Sequence, residues 1–262
     1  MKRIFSIASV LAVCALVALA VLAVLPGSKA KQSGLIGGQQ DPTIVNTSHK
    51  PVNTDLGAVK KKDGAKQVYL TFDDGPTPGY TAEVLGDLKA AGAHATFFEV
   101  GKHMMGEQDL MKAILQNGNQ IGIHTWSHAD LATVTWGETY NQIQQTRIQL
   151  TNETGDVSYI VRYPYFIEGP YGASVTKALH LGVAWSDISP EDWSATTSNQ
   201  QIIATVMKHV FPGATIGLHD GNGPLPGPPG NRETPAYLPG LLGALKAAGY
   251  QFGVLRNASP TQ

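Results

Sequence analysis

Cysteine is almost lacking from this sequence, and neither sign of charge is in excess. The one cysteine, Cys14, has no second thiol to pair with, so a framework of disulfides within the chain is excluded. Lysine and arginine together number 19 and aspartate and glutamate 20, which leaves a net charge of −1 at pH 7. Proteins that bind nucleic acid usually carry a basic face, and this chain has no basic stripe. We therefore expect no nucleic-acid partner.

Long hydrophobic runs are also scarce, and the longest lies at the N-terminus. Residues 4–25 carry no charge and follow Lys2 and Arg3. Together with the small residues that end at Ala30, this pattern predicts that residues 1–30 are an export signal peptide. The 22 uncharged residues also match the length of a membrane span, so an uncleaved N-terminal membrane anchor is an equal alternative. Both alternatives predict an exported protein, secreted or attached to the outer face of the cytoplasmic membrane.

A polar segment separates this run from the rest of the chain. Residues 31–66 are interrupted by glycine and proline and contain Lys60-Lys61-Lys62, which predicts a linker or stalk. An extra edge element packed on the domain is the alternative. Residues 67–258 are enough for one domain with a sizeable core, and we expect it to be a monomer.

Strand-like and helix-like segments alternate along this domain. Apolar or β-branched runs cover about residues 68–72, 95–100, 120–123, 158–162, 182–185, 215–218 and 251–255. Segments with helical spacing cover about residues 80–91, 109–117, 136–150, 173–180, 199–210 and 235–248. Such alternation predicts an α/β fold with a parallel sheet covered by helices. The periodicity alone leaves open whether the sheet closes into a barrel or stays open and doubly wound. In a barrel, the reactive groups gather at the carboxyl ends of the strands.

Two adjacent carboxylates follow the first strand-like run. Asp73 and Asp74 directly precede Gly75 and Pro76, so they lie where a strand passes into a turn. Neighbouring side chains in a strand point to opposite faces, but the glycine permits a sharp change of direction that brings both acids to one cleft. One carboxylate could then bind a metal ion while the other accepts a proton. The alternative is a solvated Asx turn in which both acids only end the strand.

Two histidines with a spacing of four residues follow the third strand-like run. His124 and His128 can converge on one ion in a helix or in a tight loop. Two imidazoles and one carboxylate form a suitable zinc ligand set that leaves coordination positions for water and substrate. The alternative is that the two histidines only flank a core tryptophan, Trp126.

Three later motifs complete a resemblance to a known family. They are Arg162-Tyr163-Pro164-Tyr165, Glu191-Asp192-Trp193 and Thr215-Ile216-Gly217-Leu218-His219-Asp220. With the two earlier motifs, they occur in the order and approximate spacing of the NodB-homology polysaccharide deacetylases, carbohydrate esterase family 4. The resemblance covers about residues 67–254 and implies a distorted (β/α) barrel of about seven parallel strands.

The resemblance also implies an activity and a metal centre. The activity is the removal of N-acetyl groups from an N-acetylglucosamine-containing polysaccharide, such as peptidoglycan or a chitin oligomer, with release of acetate. Asp74, His124 and His128 would bind a divalent metal, most commonly zinc, with cobalt, manganese or nickel as alternatives. Asp73 would be the general base, and Arg162 would orient it and keep it ionised.

Further residues carry roles that the resemblance implies. His219 would be the general acid that protonates the leaving amine, and Asp192 would hold its imidazole. The backbone N–H of Tyr163 would donate to the developing oxyanion. The side chains of Trp193 and Leu218 would line a pocket for the acetyl methyl group. The alternatives without a functional role are a surface ion pair for Arg162, a core position for Trp193 and a simple turn for the His219 motif.

Two features depart from the family pattern, and two other functions stay open. After Tyr165 the family usually has glycine, whereas here Phe166-Ile167-Glu168 precede Gly169, which predicts a short insertion. Ser189 stands where the fourth motif often begins with aspartate. Asp220 is expected to support its loop rather than to act chemically. The alternative functions are an esterase that removes O-acetyl groups from xylan and a carbohydrate-binding protein without turnover.

Overall fold

The computed structural model describes residues 66–232 and 235–255. The expected signal peptide or anchor and the expected linker lie outside these residues, apart from Lys66, which begins the first strand. Over the two described ranges, no helix is both long and apolar enough to span a membrane.

The elements confirm the predicted alternation of strands and helices. The strands are β1 Lys66–Asp73, β2 Ala95–Glu99, β3 Gln120–Ile123, β4 Ile160–Val161, β5 Gly182–Val183, β6 Thr215–His219 and β7 Tyr250–Gly253. The α-helices are α1 Tyr80–Ala91, α2 Gln108–Gln116, α3 Trp136–Thr154, α4 Gly172–Ala178, α5 Asn199–His209 and α6 Leu238–Ala247. Short 3-10 helices lie in the loops at Gly101–Met104, Pro164–Phe166 and Pro229–Asn231.

The strands form one parallel sheet that curls into a barrel. Its order is β5-β4-β3-β2-β1-β6, and β7 pairs with the first half of β1. Beyond β5 the chain reaches the other end of the sheet, where Ile188 forms a parallel bridge with Ile216 of β6. The two ends of the sheet meet at this bridge, so the distorted barrel implied by the resemblance is confirmed.

Strand β1 is buried on both faces and lies between β2 on one side and β6 and β7 on the other. Val68, Leu70 and Phe72 point outwards into the main hydrophobic core, which includes the buried leucines of α6. The alternate residues Thr71 and Asp73 share the opposite face, because side chains in a strand alternate between faces. A parallel strand covered on both sides is therefore buried almost throughout, and only its last residues can serve a cleft.

Local hydrogen bonds explain where the observed elements differ from the predicted ones. β4 is shorter than predicted because the Ser158 hydroxyl bonds to the backbone of Ile160, which competes with the strand ladder. α3 extends beyond the predicted end at Leu150, since the hydroxyl of Thr154 donates to the Leu150 carbonyl and Gly155, at φ 77°, ends the helix.

Candidate active site

The motif residues meet at the carboxyl edge of the barrel. Asp73 is the last residue of β1 and pairs in register with His219, the last residue of β6. His124 directly follows β3, and Arg162 directly follows β4. The parallel sheet thus brings together residues that are far apart in the sequence.

Asp74, His124 and His128 form a buried group whose geometry could hold a metal ion. Asp74 Oδ1 lies 3.2 Å from His124 Nε2 and 3.0 Å from His128 Nε2. The three candidate ligand atoms all lie within 4.8 Å of one another. Asp73 is not a member of this group.

The hydrogen bond of His124 indicates that a cation fits between these atoms. His124 Nδ1 lies 2.9 Å from the carbonyl oxygen of Arg162, which can only accept, so Nδ1 carries the proton. In the neutral imidazole, Nε2 then presents a lone pair to a carboxylate oxygen, an arrangement that is repulsive unless a cation lies between them. Among the described residues, no hydrogen bond reaches Asp74 Oδ1, although the atom is buried. The donor set therefore fits a divalent metal.

Two of these candidate ligands adopt an uncommon backbone conformation. Asp74 has φ 79° and His128 has φ 56°, both in the left-handed region. Aspartate and histidine are among the residues that tolerate this region best, at a cost of about 1–3 kcal/mol for each residue. Surrounding contacts must therefore hold the two loops in place.

The carboxylate of Asp74 is kept ionised by its surroundings. Burial works to raise its pKa, but His124 and His128, when protonated, outweigh burial and bring the pKa well below the usual value. Its second oxygen, Oδ2, accepts the backbone N–H of Gly223 at 2.9 Å. This contact leaves Oδ1 directed towards the histidines.

Asp73 is held by a fully buried arginine. Arg162 Nη1 donates to Asp73 Oδ1 at 2.6 Å and to Thr71 Oγ1 at 2.7 Å. The guanidinium lies over the ring of Phe98, 4.2 Å from its centroid. Its Nε donates to the Ala184 carbonyl oxygen at 3.3 Å. Arg162 is thus a buried clamp on Asp73, and the surface ion pair considered as an alternative is wrong.

His219 is held by Asp192. Its Nδ1 lies 2.8 Å from Asp192 Oδ1, and its backbone N–H donates to Asp192 Oδ2. Burial works to lower the pKa of His219, but the negative charge of Asp192 outweighs burial, and the pKa rises to about 9. The imidazole is therefore protonated at neutral pH, with Nε2 left for other contacts.

Two residues that support Asp192 carry no signal in the sequence. Tyr237, just before α6, donates its hydroxyl to Asp192 Oδ2 at 2.8 Å. Arg232 donates to the carbonyl oxygen of Asp192 at 2.7 Å and to that of Ser194 at 3.1 Å. Both lie about 40 residues after Asp192, so only the folded chain reveals them.

Two buried acids near the candidate metal-binding group were also not predicted as site residues. Burial raises the pKa of Glu99 well above the usual value, and the nearby Asp220 and Asp73 raise it further. Burial raises the pKa of Asp220 to about 7, even though Thr81 donates a hydrogen bond to it. Both carboxyl groups thus lie near Asp73 and Asp74, whose negative charge favours their neutral forms.

The predicted substrate-contacting residues differ in how they are presented. The side chain of Tyr163 is buried, and its hydroxyl lies against Thr176 at 3.3 Å. Leu218 is fully buried, whereas Trp193 is 51% exposed, so a core position for Trp193 is wrong. The roles of all three in substrate binding stay predictions.

Tyr165, the residue just before the predicted insertion, reaches the candidate metal-binding group. Tyr165 has φ 55° and is 55% exposed. Its ring meets the ring of His128 edge to face, with centroids 4.5 Å apart. Phe166 turns inwards and stacks on Trp185.

Comparison with known proteins gives consistent matches. Residues 60–182 match the family model for polysaccharide deacetylase. The chain is 32% identical over 212 residues to the peptidoglycan-N-acetylglucosamine deacetylase PgdA of Listeria monocytogenes, covering 79% of this chain and 42% of that protein. It is 34% identical over 165 residues to a chitooligosaccharide deacetylase of Sinorhizobium fredii, covering 60% of this chain and 74% of that protein. The chain thus spans less than half the length of the PgdA relatives it matches.

A solved structure supports the same likeness. A family 4 acetyl xylan esterase from Clostridium thermocellum, in complex with a cobalt ion, superposes with a TM-score of 0.66 and 29% sequence identity. The match covers 72% of this chain and 88% of that one.

Proposed function

Because this chain belongs to the polysaccharide deacetylase family, we propose that it is a metal-dependent hydrolase that removes N-acetyl groups from an exported polysaccharide and releases acetate. The polymer contains N-acetylglucosamine, as in peptidoglycan or a chitin oligomer. The names of the relatives support this substrate class. The observation that carries the proposal is the buried convergence of Asp74, His124 and His128 next to a separate carboxylate, Asp73.

In this proposal the two acids of the first motif have different roles, one in metal binding and the other in proton transfer. A divalent ion held by Asp74, His124 and His128 would polarise the acetamide carbonyl and activate water. Asp73 would accept a proton from the attacking water, because Arg162 holds its carboxylate in place and balances its charge. We propose zinc, which suits two imidazoles and one carboxylate, with cobalt, manganese or nickel as alternatives.

His219 supplies the proton for the leaving group. An amide anion is too basic to leave, so the amine nitrogen must be protonated as the C–N bond breaks. His219 donates this proton from Nε2, since its Nδ1 is committed to Asp192. The negative charge of Asp192 keeps the imidazole protonated until this step.

Substrate contact is assigned to three residues by their positions in the motifs. The backbone N–H of Tyr163 is proposed to donate to the developing oxyanion, and Trp193 and Leu218 to border the acetyl methyl group. The exposed face of Trp193 supports contact with a sugar. The other two assignments rest on the motif pattern.

The proposed substrate lies outside the cytoplasm, which agrees with the N-terminal sequence. We propose that residues 1–30 direct export or anchor the chain, that residues 31–66 form a stalk, and that residues 67–258 are the catalytic domain. The domain is proposed to act as a monomer.

Acetate release from matched substrates tests the function. The zinc-loaded protein is incubated with N-acetylglucosamine oligomers, with peptidoglycan fragments and with O-acetylated xylan oligomers. We expect release from the N-acetylated substrates, at a rate that a chelator abolishes and zinc restores. Release only from xylan would establish the esterase alternative. This alternative is tested because an acetyl xylan esterase has a similar structure. Binding of the oligomers without any acetate would overturn catalysis.

A further inference from the structure

The loop between β1 and α1 carries Asp74, and a buried acid from another strand holds this loop. Asp220 follows β6, is fully buried, and accepts a hydrogen bond from Thr81 Oγ1 on its Oδ2 atom at 2.8 Å. The backbone of Gly75 also lies directly against this carboxyl group. The backbone N–H of Asp220 donates to the carbonyl oxygen of Asp73 at 2.9 Å. Asp220 thus contacts the chain on both sides of Asp74.

The hydroxyl of Thr81 extends this hold to the far end of the loop. Thr81 Oγ1 accepts the backbone N–H of Thr77 at 2.8 Å while it donates to Asp220. The backbone N–H of Thr81 in turn donates to the Thr77 carbonyl at 2.9 Å. Thr81 is fully buried, so water does not compete for these bonds.

The contact between Asp220 and the loop leaves no spare room. A side chain at Gly75 would overlap the Asp220 carboxyl group, and one at Gly221 would overlap the carbonyl of Asp74. The backbone of the loop therefore lies directly on the segment that follows β6. A tight contact of this kind fixes the position of Asp74, whose φ of 79° an isolated loop would rarely adopt.

We propose that Asp220, with Thr81, is a positioning residue that holds Asp74 ready to bind the metal. The inference rests on the proposed metal-dependent function, because it assigns Asp74 as a ligand. It predicts that the hydroxyl of Thr81 affects metal affinity although it contacts no ligand atom. Groups that orient a metal ligand typically change metal affinity by about 10- to 100-fold.

Zinc affinity of the full chain tests the proposal. Thr81→Val preserves side-chain shape but removes the hydroxyl, Thr81→Ser restores it, and Asp220→Asn replaces one carboxyl oxygen with an amide NH2 group. The control is Thr139→Val, since Thr139 is equally buried and, within the described part of the chain, its hydroxyl bonds to the Thr135 carbonyl at the start of α3. The dissociation constant of zinc is measured by competition with a chelator, together with the melting temperature of the metal-free protein.

The expected result is a dissociation constant about tenfold higher for Thr81→Val and Asp220→Asn, and near the original value for Thr81→Ser and Thr139→Val. If Thr81→Val binds zinc as tightly as the original protein, the proposal is overturned, even if its melting temperature falls. If Asp220→Asn does not fold, the two Thr81 variants decide the question. If the original protein binds zinc but releases no acetate, the proposed function fails, and the positioning result can still be read from affinity.

Discussion

The two sides of the cleft are built in different ways. Asp73 and His219 end neighbouring strands and face each other in register, so the sheet itself fixes them. Asp74 and His128 lie in loops with left-handed backbone angles, and their positions depend on contacts from other segments. The groups proposed to transfer protons therefore take their geometry from the barrel. Two of the three groups proposed to bind metal, Asp74 and His128, take theirs from loop packing, whereas His124 directly follows β3.

The largest expected effect comes from the strand side of this comparison. Asp73→Asn removes the proposed general base but no metal ligand, so we expect kcat for acetate release to fall about 10³-fold at unchanged zinc content. Zinc is quantified by a colorimetric assay and turnover by acetate detection. Asp109→Asn, an exposed acid on α2, is the matched control. Loss of zinc from the Asp73 variant would contradict the division of tasks.

The next largest effect is expected on the loop side of the cleft, at a proposed metal ligand. Asp74→Asn removes the carboxylate that faces both imidazoles, so we expect the zinc dissociation constant to rise more than about 100-fold, beyond the effect typical of supporting groups. Competition with a chelator measures it. An Asp74 variant that binds zinc normally would show that the loop acid is not a ligand.

A smaller effect should appear in the pH profile. Asp192→Asn removes the negative charge that outweighs burial and raises the pKa of His219 to about 9. Because the proton donor must be protonated, activity is lost as the pH rises through that pKa. We expect the alkaline limb of the kcat profile to move to lower pH, with about a tenfold lower kcat at pH 8. An unshifted limb would rule out His219 as the group that controls it.

The smallest effect concerns stability. The pKa of Glu99 is raised by burial and by neighbouring acids, so the folded chain binds a proton that the unfolded chain releases above pH about 4.5. The free energy of unfolding therefore falls as the pH rises from that value through the raised pKa. Glu99→Gln cannot release this proton, so its unfolding free energy should fall less between pH 5 and pH 8. Urea titration of both metal-free proteins measures the difference, and equal pH dependence would refute it.

The sequence predicts what depends on local pattern. The first strand and the two acids at its end follow from an apolar run that meets glycine and proline, and α1 has the predicted bounds because its spacing is regular. The predicted length of β4 was wrong: the strand is shorter than predicted, since a serine hydroxyl bonds there to the nearby backbone. Predicting that the sheet closes into a barrel required the family resemblance, because periodicity does not reveal how the ends of a sheet meet.

The missed parts of the site depend on contacts between distant residues. Tyr237 matters because its hydroxyl reaches Asp192, and Glu99 matters because burial leaves its carboxyl group near other acids. Neither residue lies in a motif. The roles proposed for Tyr163, Trp193 and Leu218 rest on motif position and need substrate to test them.

The position of the metal tests the central claim most directly. A crystal soaked in zinc and measured by anomalous diffraction at the zinc edge locates the ion. The account predicts one ion bound by the Asp74 carboxylate and by Nε2 of His124 and His128, with Asp73 still paired to Arg162. An ion bound by Asp73, or no ion between the two histidines, would contradict it.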